Sequence, residues 1–275
     1  MKSRQPKYIV KILFFAIFSF LNFKDCLSQI TKSLIPFLKQ NGKYIYVSSL
    51  TMKPIIIKEY DAVGLFNEGL AMVSINKKYG FINESGDEVI PMQYNYFLNS
   101  NEYIKFKDGL ARIYINRKFG FIDKTGKQVI PAKYDFVDDF QEGLARFILN
   151  KKHGFINKAG DEIIAPEYDV AWNFNEGFSL VQIGTKYGLI NKLGGIVAPV
   201  KYDNAYYSEG FFGVCQDGKC GFLNSQGKII IPIKYDFVTP FSDGLASVIL
   251  NRKRMYITPR RRCNAPPSHR RRQGR

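Results

Sequence analysis

Short apolar segments alternate with polar turns along most of the chain. In one stretch, residues 110–115, 118–122 and 128–130 are rich in isoleucine, phenylalanine and valine, and polar residues or glycine separate them. Segments this short, with β-branched and aromatic residues, favour strands over helices. No sustained helical period follows the first 30 residues. The pattern predicts an all-β protein made of three-stranded antiparallel meanders.

The meander recurs at a nearly constant period. Each copy contains a glycine followed by leucine or phenylalanine, and these glycines are Gly69, Gly109, Gly143, Gly177, Gly210 and Gly244. The steps between them are 40, 34, 34, 33 and 34 residues. Units of this size stack on their neighbours, because none can bury its apolar face alone. We predict about six tandem units in an open solenoid-like array, with a closed β-propeller-like ring as the alternative.

Turn signals lie at fixed offsets within each unit. A triplet led by Asn, Asp or Gly, such as Asn150-Lys151-Lys152, predicts a tight hairpin. A second signal, such as Asn157 to Gly160, predicts a type I turn. Proline follows the third segment, as at Pro131, and indicates a strand end or an edge strand.

A Tyr-Asp pair comes after this proline. The aspartates of these pairs are Asp61, Asp135, Asp169, Asp203 and Asp236. A catalytic group normally breaks the symmetry of an array, whereas a residue found in nearly every copy serves the fold. We interpret these aspartates as caps whose side-chain oxygens accept hydrogen bonds from a turn.

Large apolar residues recur at two equivalent positions. The first set is Phe66, Phe106, Phe140, Phe174, Tyr207 and Phe241. The second set is Phe81, Phe121, Phe155, Leu189 and Phe222. Stacked units would place these side chains in ladders, so we predict a continuous core that passes from unit to unit.

The recurring motifs are Gly-Leu-Ala, Asn-x-Lys-aromatic-Gly-Phe-Ile and Ile-Pro-x-x-Tyr-Asp, and they extend from about residue 42 to residue 257. Together they resemble the WG (KWG) repeat family, tandem β-repeats of bacterial exported or envelope proteins. The tryptophan that names the family is replaced here by Tyr79, Phe119, His153, Tyr187, Cys220 and Arg254. The resemblance implies a structural or binding array and no established catalytic activity.

The two ends of the chain differ from the array at 29–257. Residues 1–28 combine early lysines and arginine with an apolar run at 12–23, the layout of a secretory signal peptide. As a helix this run would measure about 18 Å, too short for a bilayer core of about 30 Å. We therefore expect an exported protein, located in the periplasm, at the cell surface or secreted, without a transmembrane span after cleavage. Residues 42–68 read as a degenerate first unit that caps the array.

The formal net charge of +16 is concentrated at the ends. Residues 252–275 contain nine arginines, one lysine and no acid, whereas residues 29–251 carry a net charge of +2. The array has no basic stripe, so nucleic acid is not an expected partner. We hypothesise that the basic tail at 258–275 is a frameshifted or otherwise aberrant terminus and is disordered; a cationic arm for an anionic envelope surface is the alternative.

Little in the sequence supports catalysis. Two histidines make a catalytic triad hard to assemble, and no phosphate loop or dinucleotide fingerprint occurs. Cys215 and Cys220 flank one hairpin turn and are a candidate disulfide; their spacing lacks the second ligand pair of a metal site. His153 reads as a packed ring. The sequence predicts a non-enzymatic protein without cofactor or metal.

Residues found in only one copy are better candidates for binding. Trp172 is the only tryptophan, and Asn173, Tyr206 and Tyr207 lie at equivalent unit ends. Exposed aromatic residues there would stack on a sugar or contact a protein; filling a core gap is the alternative for Trp172, and a place in the phenylalanine ladder is the preferred interpretation for Tyr207.

The extra residues of the 40-residue step contain three further candidates, Tyr96, Phe97 and Tyr103, although a plain surface loop is the preferred interpretation there. The expected partner is another protein or an envelope glycan. We expect a protein-interaction or structural scaffold, with a carbohydrate or cell-wall binding module as the alternative.

Overall fold

A computed structural model describes residues 33–95 and 104–258 of the chain. Every regular element in these ranges is a β-strand, and the strands form seven antiparallel sheets. No helix able to cross a bilayer occurs in these ranges. The signal segment, the tail from residue 259 and the candidates Tyr96, Phe97 and Tyr103 lie outside the described residues, and the statements about them stay predictions. The all-β tandem architecture is confirmed.

The chain divides into a small unit, Met1–Glu59, and a larger unit, Tyr60–Arg275. The strands of the first sheet are Leu34–Leu38, Tyr44–Ser48 and Pro54–Tyr60. The first of these strands precedes residue 42, where the sequence pattern indicated that the first unit begins. Its sequence, LIPFL, lacks the alternation of polar and apolar residues by which the other strands are recognised.

The described residues of the larger unit form six sheets, and each sheet uses strands that are consecutive in the chain. We number them from the second to the seventh sheet, and they occupy residues 62–95, 110–134, 136–168, 170–202, 204–235 and 237–257. The first long strands are Leu70–Ile75, Leu110–Ile115, Leu144–Leu149, Phe178–Ile183, Phe211–Gln216 and Ala246–Leu250. The second long strands are Lys78–Asn83, Lys118–Asp123, Lys152–Asn157, Lys186–Asn191, Lys219–Leu223 and Lys253–Ile257. The third long strands are Glu88–Asn95, Gln128–Tyr134, Glu162–Tyr168, Ile196–Tyr202 and Ile229–Tyr235.

A short strand extends several of the predicted three-stranded meanders. These short strands are Ala62–Val63, Phe136–Val137, Val170–Ala171, Asn204–Ser208 and Phe237–Val238. Each short strand follows a Tyr-Asp pair and belongs to the sheet that comes next in the chain. There it pairs with the first long strand, as Val137 pairs with Phe147. Most are two residues long, which is too short for a recognisable alternation in the sequence. The chain therefore passes from one sheet to the next at the Tyr-Asp pair.

The third strand continues through its proline. Gln128–Tyr134 includes Pro131 and lies at an edge of its sheet, and its register against the second strand is irregular. The irregular strand passes close over Gly120, where a Cβ atom would lie 2.5 Å from the Ile130 carbonyl oxygen. The glycine of the family motif is therefore required by this close approach.

The core lies between successive sheets. Among the described residues of the larger unit, five hydrophobic clusters each combine residues from two neighbouring sheets, so that neither sheet buries these side chains alone. The two predicted ladders meet at these junctions: the ring centroids of Phe121 and Phe140 are 4.9 Å apart, and those of Phe155 and Phe174 are 4.6 Å apart. All four rings are at most 1% exposed. Burying one such ring is worth about 1.5–3 kcal/mol.

The Tyr-Asp aspartates connect each sheet to the next. Asp135 receives a hydrogen bond from Lys118 Nζ at 2.5 Å and another from the backbone N–H of Asn150 at 2.8 Å. Lys118 lies in the third sheet, and Asn150 lies in the hairpin turn of the fourth. The interpretation of these aspartates as turn caps is confirmed, and the capped turn belongs to the following unit.

A second set of carboxylates links turns one repeat apart. The Glu142 side chain accepts hydrogen bonds from the backbone N–H groups of Glu176 at 2.6 Å and Gly177 at 2.9 Å. Glu209 does the same for Asp243 and Gly244 at 2.8 and 3.0 Å. These glutamates come just before the repeat-marking glycines, and their role is visible only in the contacts between turns.

Candidate binding site at the fifth and sixth sheets

A cavity of about 350 Å³ lies at the junction of the fifth and sixth sheets. We call it the Trp172 cavity; its wall includes Trp172, Phe178, Leu180, Leu189, Tyr206 and Phe212. Asn173 and Tyr207 also line it, so the structure brings together Trp172, Asn173, Tyr206 and Tyr207, the four residues that are peculiar to their copies.

One cause of the cavity is an interruption of the phenylalanine ladders. Leu189 stands where the neighbouring copies have phenylalanine, and the step to the sixth sheet is 33 residues, one shorter than its neighbours. The missing residue makes the short strand regular, so that Tyr207 lies opposite Phe212. Consequently Tyr207 is only half-buried, unlike the fully buried Phe174, and its ring lies 4.8 Å from that of Phe212. The prediction that Tyr207 belongs to the phenylalanine ladder is therefore confirmed only in part.

A second cause is the loss of an arginine. Arg146 lies opposite Phe155 in the fourth sheet, and Leu180 occupies the equivalent place opposite Leu189 in the fifth. Arg146 Nη1 donates a hydrogen bond to the carbonyl oxygen of Ala171, in the next sheet, at 2.9 Å. Leucine is shorter and has no donor, so this part of the junction is left open.

Trp172 forms the exposed side of the cavity. Its side chain is 42% exposed, and its ring centroid lies 6.0 Å from that of Tyr187. The backbone of Trp172 is held in place, because its N–H donates to the Leu180 carbonyl at 3.0 Å and its own carbonyl accepts from the buried Ser179 hydroxyl at 2.5 Å. This exposure favours the binding interpretation of Trp172 over the core-filling one.

The cavity is neutral and aromatic. None of its described lining residues carries a charge, and the amide side chains of Asn173 and Asn175 supply polar groups. The Tyr207 hydroxyl donates to the carboxylate of Glu176. Burial raises the pKa of Tyr206 well above its usual range, so this phenol is neutral at physiological pH. Such a wall can stack on a planar or cationic group and can also contact a sugar ring.

Cys215, Cys220 and His153, the other candidates for chemistry, are bonded or packed within the sheets. Cys215 and Cys220 lie directly opposite each other in the sixth sheet and form a disulfide, with their Cα atoms 4.0 Å apart. His153 is buried, and its Nδ1 lies 3.3 Å from Arg146 Nη1. Burial and the Arg146 charge lower the pKa of His153. Among residues 33–95 and 104–258, no cluster of three His, Cys, Asp or Glu side chains is arranged to hold a metal ion.

Two of the solved structures that align with the chain show low similarity to it. Hsv2 of Kluyveromyces lactis aligns with 7% identity and a TM-score of 0.38, over 80% of this chain and 87% of that one. PorZ of Porphyromonas gingivalis, a surface component of the type-IX secretion system, aligns with 9% identity and a TM-score of 0.35, over 83% of this chain and 37% of that one. Scores this low carry no argument about fold or function.

Sequence comparison is more specific. No curated protein matches the chain significantly. A family profile described as "WG containing repeat" matches residues 50–79, 79–119, 119–152, 154–187, 187–220 and 221–253. These matches run almost without interruption through the repeats whose sheets share the cores described above. The chain therefore belongs to the family of WG-repeat proteins.

Proposed function

We propose that this WG-repeat protein is a non-enzymatic, exported scaffold that binds a partner protein through the Trp172 cavity. The observation that carries the proposal is the local break in repeat symmetry. Leu180, Leu189 and the shortened step to the sixth sheet all depart from the neighbouring copies at one junction, and the only tryptophan lies exposed beside them. A surface that differs from its repeats at one place is suited to specific recognition.

The recurrent acidic residues support a non-enzymatic role. Asp169 and Glu142 are occupied in contacts between units, with lysine side chains and backbone N–H groups as partners. Carboxylates held in this way serve the stacking of the sheets. A purified protein that turns over a generic ester, glycoside or peptide substrate would overturn this part of the proposal.

The test is capture of a partner from an envelope extract by the full-length protein and by two variants. Trp172→Ala removes the exposed ring of the cavity, and Phe237→Ala removes a comparably exposed ring, 53% accessible, in the seventh sheet. We expect the wild type and Phe237→Ala to retain the same partner and Trp172→Ala to lose it. Retention by Trp172→Ala would overturn the assignment of the site.

A glycan is the second candidate ligand class. The observation in its favour is the exposed indole of Trp172 beside the side-chain amides of Asn173 and Asn175, since sugars are bound by stacking and amide hydrogen bonds. Binding on a glycan array that disappears with Trp172→Ala, without capture of a protein, would replace the first candidate by this one.

Export is a separate part of the proposal, supported by the charged and apolar pattern of residues 1–28. Amino-terminal sequencing of the mature protein tests it. A mature chain that begins near Gln29 is the expected result, whereas an intact Met1 in a cytoplasmic fraction would contradict export.

A further inference from the structure

We propose that the Trp172 cavity binds the guanidinium group of an arginine side chain on the partner protein. The inference rests on the proposed function and specifies the chemical group that the site recognises. It is drawn from what the chain itself places at the equivalent position of the neighbouring junctions.

At three junctions, a side chain of one sheet donates a hydrogen bond to a backbone carbonyl of the next sheet. This carbonyl occupies the equivalent position in each repeat. Arg112 Nη1 donates to Val137 at 3.3 Å, and Arg146 Nη1 donates to Ala171 at 2.9 Å. At the junction of the sixth and seventh sheets the donor is a tyrosine instead, since the Tyr206 hydroxyl lies 3.4 Å from the Val238 carbonyl oxygen.

The equivalent carbonyl at the Trp172 cavity belongs to Ala205. It lies 25 residues after Leu180, as Ala171 lies 25 residues after Arg146, and it faces Val214 as Ala171 faces Val181. Because leucine cannot donate, Ala205 does not receive the hydrogen bond that Ala171 receives. Ala205 lines the cavity, so a guanidinium from outside the chain can supply that bond.

The surroundings of the cavity suit a cation, although none of the lining residues that the structure describes carries a charge that would form an ion pair with it. Arg146 is paired with Asp138, with Nε 2.6 Å from the carboxylate, and the position of Asp138 is taken by Trp172 in the next unit. An indole attracts a guanidinium through its π face, and the contact strengthens when water is excluded. The Glu176 carboxylate accepts from the hydroxyl of Tyr207, a lining residue, and so places negative charge next to the cavity wall.

The size of the site fits one side chain. A volume of about 350 Å³ is near the lower end for ligand pockets, which span roughly 300–1,000 Å³. The planar fork of arginine matches a carbonyl acceptor on one side and aromatic faces on the other, whereas lysine presents a point charge. We therefore expect arginine to be preferred over lysine.

The fluorescence of Trp172 provides a direct assay, since the chain contains one tryptophan. The full-length protein is titrated with Nα-acetyl-arginine methylamide and with the citrulline and lysine counterparts. Citrulline has nearly the same shape and no charge. We expect saturable quenching by the arginine compound and at least tenfold weaker binding of the citrulline compound. Equal binding of arginine and citrulline, or no binding of arginine, would overturn the inference.

A pair of variants at one position tests the site itself. Leu180→Arg gives the fifth sheet the side chain that Arg146 supplies to the fourth, so its own guanidinium fills the cavity. We expect it to weaken arginine binding at least tenfold with no loss of thermal stability, while Leu180→Met binds as the wild type does. Undiminished binding by a folded Leu180→Arg variant would contradict the assignment.

The remaining outcomes separate this inference from the proposed function. Partner capture that depends on Trp172, without any binding of the arginine compound, leaves the proposed function standing and removes the guanidinium. The carboxy-terminal arginines of this chain are another source of the same group. If the arginine compound binds only when Arg260, Arg261, Arg262, Arg270, Arg271, Arg272 and Arg275 are replaced by glutamine, the occupant is the chain's own tail and the partner assignment is wrong.

Discussion

Asp169 accepts a hydrogen bond from the backbone N–H of Gly184 at 2.7 Å, although the two residues belong to consecutive repeats. Its other carboxylate oxygen lies 2.6 Å from Lys152 Nζ in the preceding sheet. One side chain therefore holds the second long strand of one sheet and the hairpin turn of the next in a fixed relation. The same arrangement recurs at other Tyr-Asp pairs, as at Asp236, which receives hydrogen bonds from Lys219 and Asn251.

The first prediction concerns this link. Asp169→Ala removes both hydrogen bonds, whereas Asp169→Asn keeps a neutral acceptor and loses the ion pair. We expect the melting temperature to fall in both variants and to fall further in Asp169→Ala, because a turn N–H is left without its acceptor. Calorimetry measures the effect, and Glu84→Ala, an exposed turn residue, is the control. A melting temperature of Asp169→Ala equal to that of the control would show that the link is not needed.

The second prediction is a loss of stability in acid. The pKa values of Asp135, Asp169, Asp203 and Asp236 are lowered, first by a hydrogen bond from lysine and then by one from the backbone of the next turn. Folded pKa values below the unfolded value of about 3.9 mean that this stability is complete above that pH and is lost as the pH falls through the folded values. Urea unfolding at pH 7 and pH 3 measures it. The double variant Asp169→Asn/Asp203→Asn should depend less on pH than the wild type; an equal dependence would assign the acid effect to other groups.

The third prediction separates core from site. Phe174 is 1% exposed and packs on Phe155, so Phe174→Ala should lower the free energy of unfolding by about 3–5 kcal/mol. Trp172 is 42% exposed, and Trp172→Ala should cost about 1 kcal/mol or less. Chemical denaturation measures both. A larger loss for Trp172→Ala than for Phe174→Ala would return Trp172 to the core and remove its role in recognition.

The fourth prediction concerns the Cys215–Cys220 disulfide. Trypsin cleaves after Lys219, between the two cysteines, and yields peptides 202–219 and 220–228. Mass spectrometry of the denatured, unreduced protein should show these peptides as one linked species that separates on reduction. Free peptides before reduction, in protein purified from an oxidising compartment, would show that the two thiols do not pair there.

The strand content, the period and the two ladders of aromatic residues could be predicted from the sequence, because they depend on local alternation and on spacing that recurs. The sequence also indicated that the aspartates of the Tyr-Asp pairs serve the fold. It did not reveal that their partners lie in the following repeat. That contact joins residues such as Asp169 and Gly184, which only the stacking of sheets brings together.

The cavity could be recognised only from the packing of the fifth and sixth sheets. The sequence shows that Trp172 is unique, but Leu180 and Ala205 are ordinary residues. Their part in the cavity becomes clear only when equivalent strand positions of successive sheets are compared. The absence of a hydrogen-bond donor at Leu180 cannot be recognised from the sequence, because leucine is common in apolar strands. It becomes visible because Ala205, which corresponds to residues whose carbonyls accept from arginine or tyrosine in other repeats, lines the cavity, and hydrogen bonding between sheets depends on positions in three dimensions.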